Sequence, residues 1–216
     1  MSHSQDPSPD DSSALIRGAR AGDINAVNEI FKRERARLRR MVELRLDQRL
    51  QSRFDASDVI QEAYLEITER LPEYLKEPRL PIFLWFRLVV GERLLKLHRL
   101  HLGAQMRDAS REISLFQQSL PEASSAALAS QLLGQYSSPT ELAVRAERVL
   151  RLQEALNALG PLDREVLSLR HFEALSRTET AQVLGIEEGA AAKRYLRALK
   201  RLKQVLSEMP GGLEGL

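Results

Sequence analysis

The sequence has no cysteine, few histidines and few aromatic side chains, and these shortages exclude several classes of protein. Without cysteine, there can be no disulfide framework, zinc–thiolate site or thiol nucleophile. The 216 residues include only 6 Phe, 4 Tyr and 1 Trp, whereas leucine and alanine are abundant, a composition that favours helices over sheets. We therefore predict an all-α protein without a cofactor.

Long apolar runs and a secretion signal are also missing. The N-terminal stretch MSHSQDPSPDDSS is polar and acidic, unlike a signal peptide. The apolar run from Ile82 to Val90 is interrupted by Arg87 and is too short to cross a bilayer. We expect a cytoplasmic protein without membrane insertion.

The formal net charge of +2 conceals two blocks of opposite sign. Residues 31–53 are rich in arginine, and residues 55–77 are rich in aspartate and glutamate. Such blocks indicate either separate docking surfaces, one for nucleic acid and one for a basic protein, or neighbouring helices that neutralise each other. Charge alone leaves both interpretations open.

Residues 175–203 contain the most informative pattern, two short helices joined by a tight turn. Ser176 and Glu179 form a capping box, which predicts the start of the first helix. Gly185 can adopt the left-handed conformation that ends a helix, and the next helix is expected near Glu187. Small residues flank this glycine at the spacing of a helix-turn-helix, in which the two helices cross closely.

The second of these helices is basic, with no acidic residue from Gly189 to Val205. A solvated cationic face is the plain alternative, but the preceding turn favours DNA binding. The inward apolar stripe is predicted at Tyr195, Leu199, Leu202 and Leu206.

Caps and helical periodicity predict the other elements. The first four expected helices run from Ala14 to Ala21, from Asp23 through the arginine-rich block, from Asp55 to Leu71, where Pro72 ends it, and from Ile82 to about Leu102. An extended loop is expected over residues 72–81, because proline restricts the backbone. Two further helices are expected, from Pro139 to about Leu159 and from Asp163 through Phe172.

These elements predict two small helical domains joined by a flexible linker. The predicted boundaries are a leader at 1–12, an N-terminal domain at 13–102, a linker at 103–138, a C-terminal domain at 139–207 and a tail at 208–216.

Three stretches in this order carry a family resemblance. They are DASDVIQEAYLEI at 55–67, PIFLWFRLVV at 81–90, and LSLRHFEALSRTETAQVLGIEEGAAAKRYLRALKRL at 167–202. Together they resemble the extracytoplasmic-function (ECF) sigma factors of bacterial RNA polymerase. The likeness covers about residues 14–102 as sigma region two and 139–207 as sigma region four.

The resemblance implies a protein that catalyses no reaction and that binds core RNA polymerase and promoter DNA. Region two would dock on the β′ clamp helices through Asp58, Gln61, Glu62 and Glu66. It would hold the opened minus-ten element through Arg87, Glu92, Arg93, Lys96 and Arg99, with Glu92 near a position where the family often has asparagine. Region four, near the β flap, would read the minus-35 element through Lys193, Arg194, Arg197, Lys200 and Arg201. An anti-sigma factor is a further candidate partner.

Three alternatives belong to other classes. A stand-alone helix-turn-helix regulator would dimerise to match a palindrome. An enzyme could use a metal held by His98 and His101, which lie three residues apart, but Lys96 and Arg99 lie beside them. A scaffold or anti-sigma-like protein would explain the acidic face but leave the basic helix without a role.

Overall fold

Helices form all the regular secondary structure in the part of the chain that this computed structural model describes, residues 9–102, 120–133 and 139–210. The all-α prediction is confirmed. In chain order the helices are α1 (Pro9–Arg20), α2 (Ile24–Arg45), α3 (Ala56–Lys76), α4 (Ile82–Leu102), α5 (Ser125–Leu132), α6 (Pro139–Asn157), α7 (Pro161–Leu167), α8 (Arg177–Leu184) and α9 (Glu188–Glu208), with a π-helical turn (Ser168–Phe172) after α7. The helix α1 begins within the predicted leader, and residues 1–8 and 211–216 lie outside the described ranges.

Aspartate caps start α2 and α3 where the sequence predicts them. The Asp23 carboxylate accepts a hydrogen bond from the Asn25 amide at 2.9 Å. Asp55 accepts from the Ser57 and Asp58 amides, and the Asp58 carboxylate in turn accepts from the Asp55 amide at 2.9 Å. These bonds satisfy amides that have no partner inside the helix.

The core of this domain lies between α2, α3 and α4. The apolar residues of α2 and α3 recur at helical spacing, so each of these helices turns one face inward, whereas α4 is buried all round over residues 83–87. The Phe31 ring meets the Phe86 ring edge-on at 5.5 Å. Trp85 is only 6% exposed and is therefore a core residue.

The expectation that Pro72 ends its helix is wrong. The helix α3 continues through Pro72 to Lys76, so the connecting loop is shorter than predicted. Proline lacks the amide that would bond to the Thr68 carbonyl. The last turn is held instead by Tyr74, whose ring stacks on Trp85 at 4.2 Å and whose hydroxyl donates to the Leu80 carbonyl at 2.7 Å.

Part of the predicted linker is a packed helix. The Ser124 amide donates to the Leu44 carbonyl at 2.8 Å, which ties the start of α5 to the end of α2. Leu128 and Ala129 of α5 are fully buried, and α5 packs against α2 and α6. Residues 120–133 are thus attached to both domains, whereas residues 103–119 and 134–138 of the predicted linker lie outside the described ranges.

The C-terminal domain contains one further correction. Helix α7 begins at Pro161 after Gly160, and Asp163 lies in its first turn instead of capping it. Proline suits this position because the first helical amide needs no partner. The helix then widens into the π-helical turn, in which the Glu173 amide donates to the Ser168 carbonyl at 3.0 Å.

The described ranges contain no helix that is long and apolar enough to cross a membrane.

Replacing Pro72 by alanine is expected to raise the free energy of unfolding by about 1–2 kcal/mol. The restored hydrogen bond and the relieved ring clash stabilise the folded state by about 3 kcal/mol. The greater freedom of the unfolded chain offsets about 1 kcal/mol of this gain. Urea denaturation measures the change. Glu73→Ala, at the exposed neighbouring position, is the control and should shift it by less than about 0.5 kcal/mol. A less stable Pro72→Ala protein would contradict the prediction.

Candidate nucleic-acid interface

The predicted helix-turn-helix is present, with its capping box and its glycine turn. The Ser176 hydroxyl accepts from the Glu179 amide at 3.0 Å, and the Glu179 carboxylate accepts from the Ser176 amide at 2.7 Å. Gly185 ends α8 with φ 63° and ψ 33°, the left-handed conformation. The Ile186 amide then donates back to the Ala181 carbonyl at 3.1 Å. These bonds fix the angle at which α9 leaves the turn.

The apolar stripe of α9 is displaced from the predicted one. Ala191 and Ala198 are buried to 2% and 0%, whereas Leu199 is 38% exposed. The two alanines are seven residues apart and therefore lie on the same face of α9. This is the face that packs against the other helices of the C-terminal domain. Tyr195, Leu202 and Leu206 remain on this face as predicted. Leu199 lies about 100° round the helix from Ala198, at the edge of the buried face of α9.

The predicted DNA-facing residues of α9 fall into two groups. Lys193, Arg197 and Lys200 are exposed. Arg194 and Arg201 lie 3.6 Å and 3.9 Å from the Asp163 carboxylate of α7, which partly neutralises them. The surface of α9 therefore carries a row of exposed cations, Lys193, Arg197 and Lys200, and on one side of this row Arg194 and Arg201 lie close to α7.

Arg87, which is predicted to bind the minus-ten element, is buried instead of lying on the surface. Its side chain is 2% exposed, and its Nε donates to the Glu173 carboxylate at 2.8 Å. The pattern of α4 hides this burial because apolar residues occupy most of its turns. Lys96 and Arg99 are exposed as expected.

Two other predicted minus-ten residues pair with α3. Arg93 binds Glu62, with its Nε donating at 2.7 Å, and also lies 3.4 Å from Glu66. Glu92 pairs with Arg70 at 2.5 Å. The predicted docking and minus-ten surfaces therefore share an edge, along which their charges partly cancel.

The remaining predicted docking residues, Asp58 and Gln61, are exposed at the N-terminal end of α3. Asp58 also belongs to the helix cap, so its carboxylate has a structural role there. The four docking residues lie along one side of α3, within its first three turns.

Sequence reasoning missed the most buried charged cluster. Arg45 of α2 lies 2.6 Å from Glu165 of α7 and 2.6 Å from Glu173, and its side chain is 0% exposed. Burial by itself would raise the pKa of Glu173, but the charges of Arg45 and Arg87 outweigh it and lower that pKa to about 2. Burial lowers the pKa of Arg45, yet Glu165 and Glu173 raise it overall. Arg45 and Glu173 therefore remain ionised, and no local sequence pattern pairs the residues of this cluster.

The two histidines considered for a metal site have separate surroundings. His98 is 2% exposed, and its Nε2 accepts from the Asp47 amide at 3.4 Å. Burial lowers its pKa, so the neutral ring is favoured. His101 is exposed, and its ring lies 4.9 Å from the Phe54 ring.

Comparison with known proteins gives three kinds of similarity. Residues 150–202 match the family described as "Sigma-70, region 4". The "ECF RNA polymerase sigma factor SigD" of Mycobacterium tuberculosis H37Rv is 31% identical over 190 residues, which cover 88% of this chain and 81% of that protein. The "RNA polymerase sigma-E factor" of Streptomyces coelicolor is 43% identical over 61 residues, 28% of this chain and 34% of that protein.

A solved structure has a similar fold. It is described as "Structure of CnrH in complex with the cytosolic domain of CnrY", and the match has a TM-score of 0.51 at 18% identity. It covers 91% of this chain and 97% of the other, so the similarity extends over both domains.

Replacing Gly185 by alanine is expected to lower the free energy of unfolding by about 1–2 kcal/mol, because an L-residue pays a steric penalty at a φ of 63°. Gly189→Ala in the first turn of α9 is the control. No atom lies within 4 Å of its added Cβ, so it should be neutral or up to about 1 kcal/mol stabilising. Chemical denaturation compares the two. Equal effects would show that the left-handed turn does not constrain this position.

Proposed function

Because this chain belongs to the extracytoplasmic-function family of RNA polymerase sigma factors, we propose that it acts in transcription initiation through one polymerase-docking surface and two DNA-binding surfaces. The observation that carries the conclusion is the 31% identity to an ECF sigma factor over 190 residues. The stand-alone regulator has no comparable support, because the match extends over both domains.

The helix α9 enters the major groove of the minus-35 element. Lys193, Arg197 and Lys200 step along it by four and three residues, so their exposed side chains share a face. The major groove is wide enough for a helix, and an arginine can bind a guanine edge through two hydrogen bonds. Arg194 and Arg201 flank this face and bind phosphates, which sets the register of the helix.

The outer end of α4 holds the minus-ten element. Lys96 and Arg99 are exposed and reach the backbone of the opened strand. Arg93 and Glu92 line the same helix nearer to α3. Arg93 exchanges its present carboxylate partners for a phosphate, whereas Glu92 leaves Arg70 to accept a hydrogen bond from a base amino group. Arg87 joins this surface only in an arrangement where Glu173 no longer covers it.

The helix α3 docks on the β′ clamp helices through Asp58, Gln61, Glu62 and Glu66. This surface is supported by its acidic character and by the exposure of Asp58, Gln61 and Glu62. Complementary charge speeds the encounter of two proteins and excludes partners of the wrong sign. Region four reaches the β flap, so the two domains bind distant parts of the enzyme.

Further partners follow from the family. CnrH, which shares the fold, was solved with the cytosolic domain of CnrY. We propose that this chain is likewise controlled by an anti-sigma factor, that it works in the cytoplasm, and that it catalyses no reaction itself.

Reconstitution with bacterial core RNA polymerase tests the proposed function. Transcription from genomic fragments is compared with and without the protein, and new start sites are expected only when it is present. If core polymerase is neither bound nor redirected while the protein alone binds duplex DNA, the stand-alone regulator is the better description.

Arg197→Ala is expected to weaken binding to the promoters identified in this way by about 1–3 kcal/mol, if Arg197 reads a base. The loss should depend on the minus-35 sequence. Lys203→Ala changes an exposed cation six residues further along α9 and about 120° round the helix from Arg197, and it serves as the control. Electrophoretic mobility shift of the holoenzyme measures both. An unchanged promoter preference removes Arg197 from the base-reading set.

Glu62→Lys is expected to weaken the association with core polymerase while the fold stays intact, because it reverses a charge on the docking face. Glu43→Lys on α2 is a matched control, since the two glutamates are 47% and 38% exposed and each pairs with an arginine. Native gel titration with core polymerase measures holoenzyme yield, and circular dichroism checks the fold. Equal yields from the two variants would argue against this docking face.

A further inference from the structure

An apolar side chain lies among the exposed cations of α9. Leu196 is 64% exposed, so most of its surface is in contact with water. It follows Lys193 by three residues and precedes Lys200 by four, which places it within about 60° of both round the helix. Leu196 therefore shares a face of α9 with the row of exposed cations.

Packing inside the protein does not account for the leucine at this position. The buried face of α9 is marked by Ala191 and Ala198, which lie about 140° and 160° round the helix from Leu196. A single exposed leucine is ordinary on a protein surface. Leu196 differs in that it lies between cations on the face proposed to meet DNA, where a specific apolar group is available to it.

The start of α9 leaves room for this face to approach a groove closely. Gly189 and Ala190 are exposed, and a Cβ added at Gly189 would meet no atom within 4 Å. The acidic residue before them, Glu188, accepts a hydrogen bond from the Thr178 hydroxyl of α8 at 3.0 Å. Since Glu188 lies about 180° round the helix from Arg197, its carboxylate does not oppose the approach of the cations to phosphate.

The major groove of DNA offers an apolar group, the 5-methyl group of thymine. Guanine and cytosine present only hydrogen-bonding atoms there. The side chain of leucine has no hydrogen-bonding atom, so in this groove it can favour one base pair only through contact with that methyl group. Lys193 and Lys200 attract the phosphates on either side of the groove, and contact between leucine and methyl group then removes both apolar surfaces from water.

We propose that Leu196 is a specificity-determining residue that contacts the 5-methyl group of a thymine in the minus-35 element. This inference rests on the proposed function and deepens it, because it requires α9 to lie in the major groove of that element. The element then contains an A·T pair at the position that Leu196 reaches. The cations of α9 supply affinity and read guanine, and Leu196 adds a preference that a cation does not provide.

Replacement of thymine by uracil tests the contact, because uracil keeps the hydrogen bonds of the base pair and lacks only the methyl group. The test uses promoters identified by transcription with the holoenzyme, and each thymine on either strand of the minus-35 element is replaced in turn. Competition mobility shift with the holoenzyme measures the affinity for each duplex. At one thymine, loss of the methyl group is expected to weaken binding about fourfold, the effect of burying about one methyl group less.

Three variants assign this preference to Leu196. The holoenzyme with Leu196→Ala is expected to bind the thymine and uracil duplexes equally at that position, whereas Leu196→Met keeps a long apolar side chain and should retain the preference. Leu150→Ala on α6 is the matched control, because Leu150 also belongs to the C-terminal domain and is 59% exposed. It should keep the fourfold preference. Circular dichroism checks that each variant is folded.

The outcomes distinguish this inference from the proposed function. If the holoenzyme selects promoters but no uracil replacement weakens binding, or if Leu196→Ala keeps the preference, the inference is refuted and the proposed function stands. A minus-35 element without an A·T pair would refute it in the same way. Equal weakening of both duplexes by Leu196→Ala, with the preference unchanged, would place Leu196 against polymerase or the DNA backbone. If core polymerase is neither bound nor redirected, the proposed function fails, and the inference fails with it.

Discussion

The burial of Glu173 between Arg45 and Arg87 is the interaction on which the arrangement of the two domains depends. Charged side chains are buried at low cost only when opposite charges are paired, so the carboxylate that follows α7 has to lie beside the guanidinium groups of α2 and α4. The π-helical turn and the left-handed conformation of Ala174 place it there. The path of the chain into α8 follows from the same turn.

The DNA-binding half of the molecule obeys a different constraint, the close crossing of α8 and α9. Ala181 and Ala191 are buried on either side of the turn, where small side chains allow the helices to approach, and the left-handed Gly185 fixes the turn between them. The cationic residues of α9 then lie on the surface, away from this contact. The contact between the domains and the exposed cationic residues of α9 thus lie on separate faces of the C-terminal domain.

Local signals predicted most of the fold. The caps at Asp23, Asp55 and Ser176 start helices as expected, because a capping side chain bonds to amides only two or three residues away. Pro72 misled the prediction, since its lost hydrogen bond is compensated by the stacking of Tyr74 on Trp85, a contact that depends on tertiary packing. Leu199 was wrongly predicted to be buried. Helical periodicity alone does not reveal that small residues, Ala191 and Ala198, occupy the buried face of α9.

The sequence by itself determined the helical class, the helix-turn-helix and the resemblance to ECF sigma factors, because each is encoded in residues close together in the chain. Only the tertiary structure decided the state of the charged residues. Arg87 and Glu173 are 86 positions apart, and nothing near either one distinguishes a buried ion pair from a solvated charge. Whether an arginine meets DNA or a carboxylate depends on which helix folds against it, and that is settled by packing.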